Sequence, residues 1–147
     1  MVVVPNGTGR ALVSAGNAAS VKHELRGLKI LVVDDSKTIR RTAETLLAKE
    51  GCEVFTAVDG FDALAKIADH NPDIIFVDIM MPRLDGYQTC SLIKHNKTFK
   101  ETPVIMLSSK DGLFDRARGR LVGSEQYLTK PFTKDELLGA IASHVAR

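Results

Sequence analysis

The chain has 147 residues, 44% of them hydrophobic and 26% charged, which is one domain's worth of ordinary globular protein and excludes collagen, coiled coil and wholesale disorder. The formal net charge of +2 arises within residues 1–28, where Arg10, Lys22 and Arg26 face Glu24 alone. The remainder is balanced, so no nucleic-acid surface is expected. No apolar stretch approaches the roughly 18 residues that span a bilayer, and "MVVVPNGTG" lacks the charged lead-in of a secretory signal. No membrane insertion and a cytoplasmic location are therefore expected.

In chain order, residues 1–27 are rich in Ala, Gly, Ser, Asn and Val without a sustained period, and are expected to form a flexible N-terminal arm. Their "GTG" has no preceding strand and no third glycine, so it carries no nucleotide-binding signal. From Lys29 the pattern becomes regular. The apolar runs "KILVVD", "EVFTAV", "DIIFVD", "PVIMLS" and "QYLT" alternate with stretches of helical spacing.

The first helix is predicted over 36–50, with Ile39, Ala43, Leu46 and Leu47 on one face and Gly51 as its stop. The second runs over 59–70, with Asp59 as a cap and "NPD" as a break. Helices near 85–95, 111–120 and 134–146 complete the series. Parallel strands joined by crossover helices follow from this alternation, and continuously apolar strands imply helices on both faces. The expected fold is α/β, a doubly wound five-stranded parallel sheet flanked by five helices.

Cys52 and Cys90 lie far apart, and His23, His70, His95 and His144 show no ligand spacing with them. Free thiols in a reducing compartment are expected rather than a disulfide or a metal site.

In an open parallel sheet, ligands bind outside the carboxyl ends of the strands. Four apolar runs end there in polar residues: Asp34 and Asp35, then Asp78, Ser108 and Lys130. A helix N-cap explains Asp35 or Ser36 alone, but not Asp34 and Asp78 as well. Three carboxylates in one place repel one another unless a cation lies among them, and an all-oxygen donor set open to water suits Mg2+. A divalent ion, the Lys130 ammonium and the Ser108 hydroxyl match the oxygens of a transferring phosphoryl group. One carboxylate can then act as a nucleophile and form an aspartyl phosphate. Asp34 and Asp35 leave the first strand together as metal ligands, whereas Asp78 projects between metal and lysine.

"VVDDS", "VDIMMPRLDGY", "VIMLSS" and "YLTKPF", in this order and spacing, resemble the receiver domain of bacterial two-component response regulators. The resemblance covers about 29–147, and the receiver domain is placed at 28–147. It implies a CheY-like, flavodoxin-like fold, with Asp78 as phosphate acceptor and Asp34 and Asp35 as Mg2+ ligands. It further implies Met80 as donor of a backbone carbonyl to the metal, Ser108 and Tyr127 as switch residues, Lys130 as the partner of the phosphoryl group, and a cis Lys130-Pro131 bond.

"DDSKTIRRTAETLLAKEGC", "DGFDALAKIADHNPDIIFVDIMMPRLDGYQTC" and "MLSSKDGLFDRARGR" are closer still to the stand-alone regulators of type IV pilus twitching motility. That likeness implies a chemosensory-type histidine kinase as phosphodonor and a downstream pilus or signalling protein as reader. The chain is then expected to catalyse only its own phosphorylation and dephosphorylation. Arg116, Arg118 and Arg120 read as a solvated helix face, in a region where family members dock partners. Met80 and Pro82 are apolar where fast-cycling receivers carry polar side chains, which implies slow loss of phosphate.

Two other classes compete. An aspartyl-phosphate hydrolase is disfavoured because its D-x-D-x-T/V motif and cap domain are missing. A phosphorylation-independent interaction module is disfavoured because Asp78 and Lys130 are both kept. No room is expected after the receiver for a helix-turn-helix.

Overall fold

The computed structural model describes residues 25–109 and 114–145. The expected arm at 1–27 lies outside them as far as Glu24. Leu25 is buried in the core, and Gly27 donates its N–H to the carbonyl of Gly51, so the packed body already includes these residues.

Five strands, β1 (Lys29–Val33), β2 (Glu53–Ala57), β3 (Ile74–Asp78), β4 (Val104–Ser109) and β5 (Gln126–Lys130), alternate with five helices. The helices are α1 (Lys37–Ala48), α2 (Gly60–His70), α3 (Gly86–Lys94), α4 (Arg116–Val122) and α5 (Lys134–His144). All strand pairs are parallel, in the order β2-β1-β3-β4-β5. The chain moves from β1 outward to β2, then crosses back to β3, so the order reverses between β1 and β3. The doubly wound architecture expected from the sequence is present.

Alternate residues of each strand feed two separate cores. Ile30, Val32, Ile74 and Phe76 face Ala43 and Leu47 of α1 and Leu137 and Ile141 of α5. Leu31, Val33, Ile75 and Val77 face Ala63 and Ile67 of α2 and Cys90 and Ile93 of α3. Burial on both faces is why these runs carry no polar alternation.

Each helix starts with a side chain that accepts one of its orphan N–H groups. Ser36 accepts from Ile39, Asp59 from Asp62, Asp85 from Gln88, Asp115 from Arg118 and Thr133 from Glu136. These caps set the helix starts one residue later than the apolar pattern does in α1, α2 and α3. The fourth helix begins at Arg116 because Asp115 caps it. Residues 111–113, assigned to that helix from the sequence, lie outside the described residues. Gly123, with φ of 90°, then ends α4 in the left-handed conformation.

Candidate functional site

The register Val33↔Val77 brings the carboxyl ends of β1 and β3 side by side, so Asp34 and Asp78 emerge together at the point where strand order reverses. Asp34 is fully buried. Its Oδ1 accepts the Ser36 backbone N–H at 2.8 Å, and its Oδ2 accepts the Lys130 ammonium at 3.0 Å. Its main-chain carbonyl accepts from the Arg40 guanidinium at 2.7 Å, which ties the first turn of α1 to the end of β1.

Asp78 is 3% exposed. Its Oδ1 accepts from Lys130 Nζ at 3.0 Å and from the Met80 backbone N–H at 3.3 Å. Lys130, at the end of β5, thus bridges both buried carboxylates. Asp35 is exposed, yet carboxylate oxygens of Asp34, Asp35 and Asp78 all lie within 4.8 Å of one another.

Burial, followed by the charge of Asp34, pushes the Asp78 carboxyl up from 3.8 to about 6, against the opposing pull of Lys130. Burial alone pulls the Lys130 ammonium down, but its hydrogen bonds and charge contacts with Asp34 and Asp78 outweigh that and raise it above 10.5. The ammonium therefore stays charged and pairs with Asp34 and Asp78, two of the three clustered carboxylates. A hard, all-oxygen donor set with surplus negative charge and one member open to solvent fits a divalent cation of the Mg2+ kind.

Ser108, the penultimate residue of β4, lies beside this pair, since it follows Leu107, with which Asp78 aligns. Its hydroxyl donates to the carbonyl of Ser109 at 3.3 Å rather than to a carboxylate. Tyr127 lies further back on β5, half-buried, and its hydroxyl accepts from Arg116 at 2.9 Å. The Met80 side chain is 71% exposed, and the Lys130-Pro131 bond is cis.

Three features were invisible to sequence reasoning. Arg40 braces Asp34 from an amphipathic helix where it looks like one surface cation among several. Arg83, at φ of 68°, pairs with Asp59 at 2.7 Å and lies over the Phe61 ring. Arg116 and Arg118 are exposed, as expected of a solvated face, but also lie over the rings of Tyr127 and Tyr87.

The 2-1-3-4-5 sheet and the acidic cluster at its switch point define a flavodoxin-like α/β protein with an acid pocket closed by a lysine. The chain belongs to the response regulator receiver domain family, whose pattern matches residues 30–142. It is 80% identical over 119 residues to Protein PilG of Pseudomonas aeruginosa, covering 81% of this chain and 88% of that protein. Among solved structures it is similar to chemotaxis protein CheY4 of Vibrio cholerae at TM-score 0.76 and 33% identity, covering 81% of this chain and 99% of that one. It is also similar to the receiver domain of Francisella response regulator 1452 at TM-score 0.69 and 39% identity, covering 78% and 93% respectively.

Proposed function

We propose that this receiver takes a phosphoryl group onto Asp78 from a phosphohistidine of a chemosensory-type histidine kinase, and that the modification switches the binding of a downstream pilus or signalling protein. The observation that carries this reading is the buried Asp78 carboxylate, addressed on Oδ1 by both Lys130 and the Met80 N–H. Among the described residues both donors sit on that one oxygen, so Oδ2 is the oxygen assigned to bond formation.

In this reading Oδ2 attacks phosphorus, the P–O bond forms, and the P–N bond to the kinase histidine breaks with its electron pair returning to the imidazole. Lys130 holds Asp78 in place and then pairs with the transferred group, exchanging a carboxylate for a phosphoryl partner. Ser108 turns its hydroxyl from the Ser109 carbonyl to the new oxygens, and Tyr127 responds behind it. Asp34, Asp35 and Asp78, with the Met80 carbonyl, would hold Mg2+, which supplies charge neutralisation for the phosphoryl oxygens when bound. The new group adds roughly −1.5 to −2 charge, by analogy with other phosphorylated side chains, and strong acceptor oxygens.

The chain thereby catalyses only its own phosphorylation and dephosphorylation, in the cytoplasm and with no nucleic acid or membrane insertion involved. Control of type IV pilus twitching motility as a stand-alone regulator is supported by the sequence motifs and by the high identity to Protein PilG. Residues before Leu25 are assigned as a segment outside the receiver, and the region around Arg116 to Lys130 as the docking face. The test is intact mass after incubation with acetyl phosphate and Mg2+, for wild type and Asp78→Ala, with and without a chelator. One added phosphate, lost in both controls, is expected. No added phosphate with any donor favours the phosphorylation-independent interaction module.

A further inference from the structure

Three aromatic rings from separate parts of the chain form a continuous series behind the acid pocket. The Tyr127 ring of β5 stacks on Phe114 with centroids 4.3 Å apart, and Phe114 stacks in turn near Tyr87 of α3 at 6.1 Å. Both ends of the series connect to Asp78. Tyr87 follows Gly86, whose N–H donates to the Ile79 carbonyl and whose Cα is packed against the Asp78 main chain. Tyr127 is on the same short strand as Lys130, whose ammonium holds the Asp78 carboxylate.

The middle of the series is fixed to α4. Phe114 immediately precedes Asp115, the cap of that helix, and the Asp115 N–H donates to the Tyr87 hydroxyl at 2.8 Å. Arg116 donates to the Tyr127 hydroxyl and lies over its ring, and Arg118 lies 4.3 Å from the Tyr87 ring centroid. The first turn of α4 is therefore latched to both tyrosines, by a hydrogen bond and a guanidinium at each. Gly119 accommodates the arrangement: a β-carbon there would be 2.6 Å from Phe114 Cζ.

We propose that Tyr127, Phe114 and Tyr87 act as a mechanical link that transmits a change at β5 to α3 and the start of α4, with Phe114 as its obligatory middle member. Close-packed rings do not deform continuously, so moving one end forces the next ring to move or leaves a gap. Because Tyr87 and Arg118 wall the groove between α3 and α4, a cavity of about 430 Å³, motion of the link alters the shape of that surface. As a switch element the link rests on the reading of Asp78 as phosphoryl acceptor, but its existence as a coupling does not.

The chain has two tyrosines and no tryptophan, so 3-fluorotyrosine incorporation places a fluorine resonance at each end of the link and nowhere else. The first comparison is Tyr127→Phe against Tyr127→Leu, in which Tyr87 gives the sole resonance and only the stacked ring differs. The Tyr87 shift is expected to differ between the two, and the difference is expected to vanish when Phe114→Leu is added. Equal shifts with Phe114 present, or a difference that survives its removal, overturns the link. Phe114→Met serves the same purpose if the leucine variant does not fold.

The second comparison treats wild type and Phe114→Leu with acetyl phosphate and Mg2+ while intact mass follows the modification. The Tyr87 resonance should move with added phosphate in wild type and move less in Phe114→Leu at the same phosphate content, where only the Gly86 contact with Asp78 remains; an equal movement in both overturns the link's place in the switch. A phosphorylated wild type with an unmoved Tyr87 overturns the link's place in the switch. Absence of added mass overturns the acceptor reading instead, and the link is then decided by the first comparison.

Discussion

Gly86 is packed so tightly against Asp78 that a β-carbon on it would lie 2.5 Å from the Asp78 carbonyl oxygen and 2.7 Å from the Cα of Ile79. The first residue of α3 thus fixes the backbone that carries the candidate phosphate acceptor. Gly86→Ala must push the helix and the end of β3 apart. A loss of about 1–3 kcal/mol from overpacking is expected in urea unfolding, with a larger loss of phosphate uptake than of stability. Full uptake in a destabilised Gly86→Ala protein would show that the helix start does not position Asp78.

Asp78 itself should cost the metal-free fold stability. Its carboxyl is raised from 3.8 to about 6 by burial and by Asp34. The folded state therefore binds the proton more tightly than the unfolded state does. The stability this contributes is full below about pH 4 and is lost as pH rises through about 6. Asp78→Asn removes that dependence. In chelator at pH 7 the asparagine variant should be more stable by about 1 kcal/mol, after discounting for solvent at the pocket, and the gap should close towards pH 4. A gap that does not change with pH contradicts the burial argument.

Divalent metal should reverse that penalty. Binding to the folded state alone raises its stability by mass action, so Mg2+ should raise the unfolding midpoint of wild type. Asp34→Asn removes one of the clustered carboxylates, keeping an oxygen to accept from Ser36 while the oxygen that accepts from Lys130 becomes an amide NH2, and should abolish most of the rise. An undiminished Mg2+ response in Asp34→Asn places the cation elsewhere.

Two apolar side chains lie at the mouth of the pocket beside the exposed Asp35: Met80, 71% exposed, and Pro82, two residues on. Neither side chain can orient a water by hydrogen bonding, so loss of phosphate should be slow. Met80→Asn should shorten the lifetime several-fold when followed by intact mass. A wild-type half-life of only seconds contradicts this.

Arg120 separates docking from the aromatic latches. Arg116 and Arg118 are engaged with tyrosine rings, and Arg118 also lies 3.7 Å from Asp85. Their charge reversal would disturb α4 directly. Arg120 belongs to the last turn of α4 and, with Phe114 and Tyr127, lines a second cavity of about 380 Å³ distinct from the α3–α4 groove. Arg120→Glu should weaken binding of the downstream partner tenfold or more while leaving Asp78 phosphorylation unchanged. Unaltered binding removes this face from the docking surface.

The doubly wound parallel sheet and the gathering of Asp34, Asp78 and Lys130 were legible because both depend on patterns local to the chain. Apolar runs without alternation announce a sheet covered on both faces, and the polar residue ending each run marks its carboxyl edge. Ser36 and Asp59 could be anticipated as caps because capping needs only a side chain and the next turn. Arg40, Arg83 and Phe114 were not legible, for a common reason. Each acts on a group brought close by tertiary packing: a strand-end carbonyl, a cap on another helix, and two rings on β5 and α3. No short-range period distinguishes such residues from their solvated neighbours. The backbone of Arg83 is a further case, since a left-handed arginine goes against intrinsic preference and is held there by its surroundings.

Neither Cys52 nor Cys90 is in a disulfide, and both are buried, one in each of the two cores. Burial pushes the Cys90 thiol up to about 12, and only the thiolate reacts readily with disulfide reagents. Cys90 is therefore silent until its layer opens, and Cys52 is shielded by burial in the other. The molecule carries two clocks, one for the layer beneath α1 and α5 and one for the layer beneath α2 and α3. Their labelling rates give separate opening free energies for the two halves of a single domain.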